Sequence, residues 1–175
     1  MTSILKVDQL QDSGGNAIIT SDGAGNITTP GITTGKVLQV VQTVFTGRKV
    51  TTSSSFADVS GASVTITPSS ASNKILIFVN ANDIQKTDSS SGAAGAISLL
   101  RSSTSIAELT SQATFTNTAI YNNIGSVSGT YLDSPATTSA TTYKLQFKTT
   151  SGEFSINEAG GADSMITAME ISAWL

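Results

Sequence analysis

The chain has 175 residues, 12% of them charged, a formal net charge of −3, and neither histidine nor cysteine. That length suits one domain plus an extension, and the missing residue types exclude disulfides, thiolate or imidazole metal sites and His-based catalytic triads. Its nine Lys and Arg residues are scattered singly, which offers a nucleic acid no cationic patch, and no apolar run approaches the ~20 residues of a membrane span.

What remains is a β composition. There are 26 Thr and 27 Ser; Thr, with Val and Ile, fits a pleated, half-buried surface, while Ser, Gly, Asn and Asp suit the turns between strands. Residues 1–35 read as an N-terminal stem or attachment segment. Its opening, Met1-Thr2-Ser3-Ile4-Leu5-Lys6, lacks the long apolar core of a secretion signal, which points to synthesis in a cytoplasm. Two turn clusters follow, Asp12-Ser13-Gly14-Gly15-Asn16 and Ser21-Asp22-Gly23-Ala24-Gly25-Asn26, alternating with short apolar pieces. The main apolar anchors of the stem are Ile4, Leu5, Val7, Leu10, Ile18, Ile19 and Ile27. They are too few to cover both faces of a sheet against the entropy of ordering it. The stem is therefore either disordered or paired with copies of itself or with another protein; β-branched pieces recurring between turns favour pairing, and these seven residues are the candidate oligomerisation and attachment site. Residues 28–35 read as a hinge or connector.

From Lys36 to Leu175 the spacing of strand candidates is that of a β-sandwich head. Val37 to Phe45 is almost continuously apolar, as in a strand covered on both faces. Ala62, Val64 and Ile66 alternate with Ser63, Thr65 and Thr67. Ile75, Ile77 and Val79 oppose Leu76 and Phe78, Tyr143, Leu145 and Phe147 alternate with Lys144, Gln146 and Lys148, and Met165, Thr167, Met169 and Ile171 oppose Ile166, Ala168 and Glu170. Weaker candidates lie at 56–59, 96–101, 114–121, 127–132 and 153–156. Residues 106–113 have helix-like spacing over barely two turns. Ile75, Ile77, Leu145, Phe147 and Ile171 are the expected core. About ten antiparallel strands in this space predict an all-β, jelly-roll-like antiparallel sandwich carried on an extended β stem.

Several phrases resemble a known group. Thr2-Ser3-Ile4-Leu5-Lys6-Val7-Asp8, Gln11-Asp12-Ser13-Gly14-Gly15-Asn16 and Gly35-Lys36-Val37-Leu38-Gln39-Val40-Val41 are similar to segments of fibre-like virion proteins of marine bacteriophages, including those of cyanobacteria. So are the run from Val64 to Leu76, Tyr131-Leu132-Asp133-Ser134-Pro135-Ala136-Thr137-Thr138 leading into Thr141-Thr142-Tyr143-Lys144, and Ile166-Thr167-Ala168-Met169-Glu170-Ile171. The resemblance implies a virion surface location, a homotrimer and an antiparallel β head. The expected role is a tail fibre or knob acting in host attachment among other virion proteins, with capsid decoration or a head fibre as the alternative.

No catalytic, cofactor or metal site is expected. Ser3 and Lys6 have the spacing of an acyl-transfer pair but lie on a Gly-rich stem without a shaped pocket. Asp133, Glu158 and Glu170 are the carboxylates that would have to converge for glycoside hydrolysis. Ser21–Asn26 has one ionised ligand where a calcium loop wants several, so it reads as a turn. Asn26-Ile27-Thr28 is a glycosylation sequon, without meaning outside a secretory pathway. Asp133-Ser134-Pro135 reads as a turn opened by Asp bonding backbone amides. Tyr121, Tyr131 and Trp174 are candidates for stacking on a host surface glycan, although core or interface packing is the commoner fate of such residues. Residues 83–95 form the longest polar loop candidate, where recognition can reside. No receptor-contact residue is assigned.

Overall fold

The computed structural model describes residues 7–29, 35–86, 91–118, 122–123 and 125–173. Contacts divide the chain into two compact units, Met1–Lys36 with Ser172–Leu175, and Val37–Ile171. Within the first, the Ser172 N–H donates to the Lys36 carbonyl at 2.9 Å, and the Lys36 N–H donates to Ser172 Oγ at 3.0 Å.

In the first unit β1 (Gln9–Gln11), β2 (Ala17–Ser21) and β3 (Ile27–Thr28) form an antiparallel sheet in that order. Both connections are built alike. The Asp12 carboxylate accepts the Gly14 and Asn16 N–H groups at 2.8 and 2.9 Å and Asn16 Nδ2 at 3.0 Å. Asp22 accepts Ala24 and Asn26 N–H at 2.8 and 3.1 Å and Asn26 Nδ2 at 2.6 Å. An Asp closing its own loop on an Asn four residues on thus occurs twice, and Gly15 (φ 81°) and Gly25 (φ 95°) occupy the matching left-handed position in each. Donation by Asn16 and Asn26 to the ionised carboxylates holds both Asp residues below their ordinary range.

The second unit is a sandwich of two four-stranded antiparallel sheets. One contains β12 (Ser126–Asp133), β7 (Lys74–Asn82), β15 (Ser164–Ile171) and β4 (Val37–Phe45), in that order. The other contains β10 (Thr104–Ala113), β9 (Gly95–Arg101), β13 (Thr141–Thr149) and β6 (Ala57–Ile66). All connections between these eight strands except β9–β10 cross from one sheet to the other, which is the jelly-roll pattern. Four short strands lie in the connections at one end: β5 (Lys49–Thr51), β8 (Gln85–Lys86), β11 (Asn122–Asn123) and β14 (Phe154–Ile156). They pair with one another in the order β11-β8-β14-β5. Among the described residues there is no helix.

Period-two alternation builds the core between the sheets. Ile75, Ile77 and Val79 of β7 meet Val64 and Ile66 of β6, Ile97 and Leu99 of β9, Tyr143, Leu145 and Phe147 of β13, and Ile166 and Ala168 of β15 in one buried cluster. Phe154 enters from β14, its ring edge-on to Phe147 with centroids 6.5 Å apart. Gly95 is required there, since a Cβ at that position would fall 2.2 Å from the Phe154 ring.

Four expectations are corrected. Val37 to Phe45 is an edge strand, not a doubly covered one; its outward valines stand in solvent. Residues 106–113 are strand β10, not helix. Three irregularities in its pairing with β9 reset which side chains face inward, and Ile106, Leu109 and Ala113 reach the core at spacings of three and four. Residues 114–118 leave the sheet; 119–121 lie outside the described residues. Ile171 is half-buried on the outer face, while Ile75, Ile77, Leu145 and Phe147 are buried as expected. In addition, 56–59 and 62–66 belong to one strand, bent where Gly61 takes φ 81°.

Candidate interaction surface

The stem sheet gathers most of its apolar side chains on one side. Leu10 pairs with Ile19 across β1 and β2, Ile27 pairs with Ser21 across β2 and β3, and residues 19 and 21 share a face. Val7, Leu10, Ile19 and Ile27 therefore line one concavity of about 390 Å³, with Asp8, Gln9, Ser21 and Gly25 around them. Ile18, between Ile19 and Ala17, points to the opposite face. All five side chains are exposed, Ile27 to 67%. Ile4 and Leu5 lie outside the described residues. Among the described residues nothing buries these side chains, and apolar burial is what stabilises so small a sheet.

A second apolar surface is on the head. Cross-strand register places Leu132, Leu76, Met169 and Val40 in one row across β12, β7, β15 and β4. The next row is Thr130, Phe78, Thr167 and Gln42, and the one after is Ser128, Asn80, Met165 and Val44. The alternate residues of β7 are in the core, so these rows form the outer face of that sheet. Leu132 is 57% and Val40 53% exposed. The outer face of the other sheet is polar by contrast: Ser63, Thr65, Thr142, Lys144, Gln146 and Lys148 stand there, with Lys144 Nζ and Gln146 Nε2 both donating to Asp58. The legible signal for the apolar face is that β4 and β7 carry Val, Leu and Phe at outward as well as inward positions, where a one-sided strand would alternate.

The three carboxylates do not assemble an acid–base pair. Asp133 is buried and accepts Arg101 Nη1 at 2.9 and 3.0 Å through its two oxygens, and Tyr143 Oη at 2.7 Å. It is thus a core-edge hub holding β9, β12 and β13 together, and not the backbone-bonded opener of a turn. Burial, and then the Asp133 acceptor, push the Tyr143 hydroxyl far up, which keeps it a donor. Glu170 is wholly buried and accepts Ser69 N–H and Oγ at 2.7 Å each, Asn73 Nδ2 at 2.6 Å and Gln39 Nε2 at 2.5 Å. Burial opposes its ionisation, yet these donors outweigh that and hold the carboxyl down at about 2. Asp133 and Glu170 flank Ile75 on adjacent strands of one sheet, with every oxygen of each occupied by donors. Glu158 is elsewhere, paired with Arg48 Nε at 2.7 Å beside an Arg48–Glu153 ion pair.

Other candidates are placed as follows. Tyr131 is half-buried and packs against the core, the commoner fate of such a residue; Tyr121 and Trp174 lie outside the described residues. A concavity of about 390 Å³ near Arg48, Lys49, Asp58 and Phe147 likewise presents no open ring, because Phe147 is buried. The 83–95 segment is largely integrated where described: Ile84, Lys86, Ala93 and Ala94 are buried, and Lys86 Nζ donates to Thr116 Oγ1 at 2.5 Å. Residues 87–90 lie outside the described residues. In the Asp22 loop the carboxylate is taken up by its own backbone and Asn26, consistent with a turn. Among the described residues no group of three or more carboxylates could hold a metal ion.

No protein-family model matches the chain, and no curated protein matches it. Solved structures similar to it include the VP2 subviral particle of infectious bursal disease virus, with a TM-score of 0.47 and 13% identity over 85% of this chain and 36% of that one. The structure of the Gx strain of the same virus gives a TM-score of 0.40 and 11% identity over 85% and 35%. The chain thus spans about a third of the length of these proteins.

Proposed function

We propose that this chain is a non-enzymatic structural protein of a bacteriophage particle surface, made in the host cytoplasm and carried on the virion as a trimeric tail fibre or knob that takes part in host attachment. The observation that carries this reading is the stem. Val7, Leu10, Ile19 and Ile27 open onto one concave face that no described residue of the same unit covers, whereas the head has a closed core of its own. A folded head with an apolar attachment element is the organisation expected of a part that docks onto a larger assembly. The resemblance of residues 2–16 and 131–144 to marine phage fibres supplies the kind of assembly.

In this role the stem anchors the protein to other virion proteins, and the head's loops and edges are the surface available to a host glycan. The engagement of every oxygen of Asp133 and Glu170 by donors, with Glu158 apart from both and paired with Arg48, supports a binding part without hydrolytic activity. The test is to locate the protein in images of whole particles and count its copies. Tail location with copies on the order of tens or fewer supports the fibre reading. Location on the capsid, with copies on the order of hundreds, assigns capsid decoration or a head fibre instead. Absence from purified particles overturns the proposal.

A further inference from the structure

The asymmetry between the two outer sheet faces demands an explanation that the stem does not provide. An antiparallel sheet with one solvated side normally carries polar residues there, as β6 and β13 do. The face made by β12, β7, β15 and β4 instead presents Leu132, Leu76, Met169, Val40, Phe78 and Val44 as neighbours in register. We infer that this face is where heads of the same chain pack against one another. The inference rests on the reading above for the number of copies and for their joining through the stem.

Three observations favour a second copy as the occupant. The first is area. The exposed parts of the large apolar residues on this face and its β4 edge amount to ~500 Å², near the top of the ~300–600 Å² range for the largest patch on a typical monomer. With the half-buried Leu76, Met165, Met169 and Ile171 and the polar Thr and Ser residues around them, the surface approaches the ~800 Å² per partner of a stable protein interface. The second is charge. The three rows contain no ionised side chain, and Lys74, opposite Ile171 in the next row, donates to Ser134 Oγ at 2.6 Å; the rows themselves hold no charge to select an oppositely charged partner or to repel their own copy. The third is connectivity. β4 begins at Val37, directly after the stem ends at Lys36. Copies joined through their stems are therefore tethered with their β4 strands nearby, which raises the effective concentration of one apolar face at the next. An exposed β4 edge is also a hazard for uncontrolled strand pairing unless a defined neighbour covers it.

The experiment uses the full chain in sedimentation-velocity and multi-angle light-scattering measurements. Wild-type protein should sediment as a homo-oligomer. Leu132→Glu and Val40→Glu place a charge on positions already half in solvent, so the monomer keeps its fold, checked by its circular dichroism and melting. Each should weaken association on the order of 100-fold, the effect of an unpaired charge in a packed interface. Ser63→Glu on the polar sheet, opposite Lys144, is the control and should leave association unchanged. Peroxide oxidation of Met165 and Met169 provides a second readout: both should be protected in the oligomer and react faster in the Leu132→Glu protein. A wild-type monomer, or outer-face variants that associate and resist oxidation like wild type, overturns the inference. If oligomers persist in those variants while the protein is still found on particles, this face is not the contact and the virion reading stands; absence from particles with the face behaving as stated sinks the virion reading alone.

Discussion

Glu170 offers the sharpest test of how the sandwich is held at one end. It is a fully buried carboxylate fixed by neutral donors from β4 and from the 67–73 connection between β6 and β7: Gln39, Ser69 and Asn73. Its folded-state value of about 2 against an ordinary 4.5 corresponds to roughly 3 kcal/mol at about 1.36 kcal/mol per pH unit. Because the folded value is depressed, that stability is fully present above pH 4.5 and is lost as pH falls toward 2. Glu170→Gln keeps the shape. Its carbonyl can still accept from Ser69 and Asn73, but its amide faces the Gln39 amide and removes the charge that strengthened every bond. The substitution should destabilise the protein by about 2 kcal/mol at pH 7. The difference from wild type should shrink toward zero by about pH 2.5, with other carboxylates cancelling in the comparison. Urea unfolding of both proteins at a series of pH values measures it. A difference that stays constant from pH 7 to pH 2.5 would show that the charge on Glu170 contributes nothing, and the argument from its donors would be wrong.

Two further substitutions probe the core and its edge. Gly95→Ala drives a Cβ into the Phe154 ring at 2.2 Å; displacing a core aromatic should lower stability by ~2–3 kcal/mol in urea titrations, and a loss under ~0.5 kcal/mol would mean that the β14 end repacks freely. Asp133→Asn leaves the Arg101 guanidinium without a counter-charge beside the Tyr143 hydroxyl; a loss of ~2–4 kcal/mol is expected, and a value near zero would reduce the hub to a surface ion pair.

The parts of the fold that were readable in advance are those where burial follows a strict period of two. Ile75-Ile77-Val79 and Tyr143-Leu145-Phe147 face the core as their alternation requires. Where a bulge intervenes, the period breaks and the reading fails with it: Ile106, Leu109 and Ala113 of β10 mimic a helix because three register shifts change the inward side chain each time. Strand β4 misled for a different reason. Continuous hydrophobicity signals cover on both faces but does not say whether the cover comes from the same chain, and here the outward valines have none among the described residues. Asp133 could not be placed because its partners are reached only in three dimensions; Arg101 is thirty-two positions away on another strand. The stem anchors were legible as an apolar set. That Leu10, Ile19 and Ile27 share a face while Ile18 does not required the register.

The pairing of β4 with β15 has a consequence for how the protein comes into being. Val37 is opposite Ile171, and Phe45 is opposite Ser164, so the first long strand of the head waits on the ribosome for its neighbour until the last is made. Until then neither β4 nor β7 has β15 between them, and the Gln39–Glu170 contact spans 131 positions. A topology dominated by such distant pairings folds slowly, and its unpaired apolar strands are open to wrong partners in the meantime. Refolding from urea should accordingly be slow and lose yield as concentration rises, and chains ending before Ser164 should show no cooperative melting. Any association between copies would then begin only after each head has closed, a sequence in time imposed by the order of strands in one sheet.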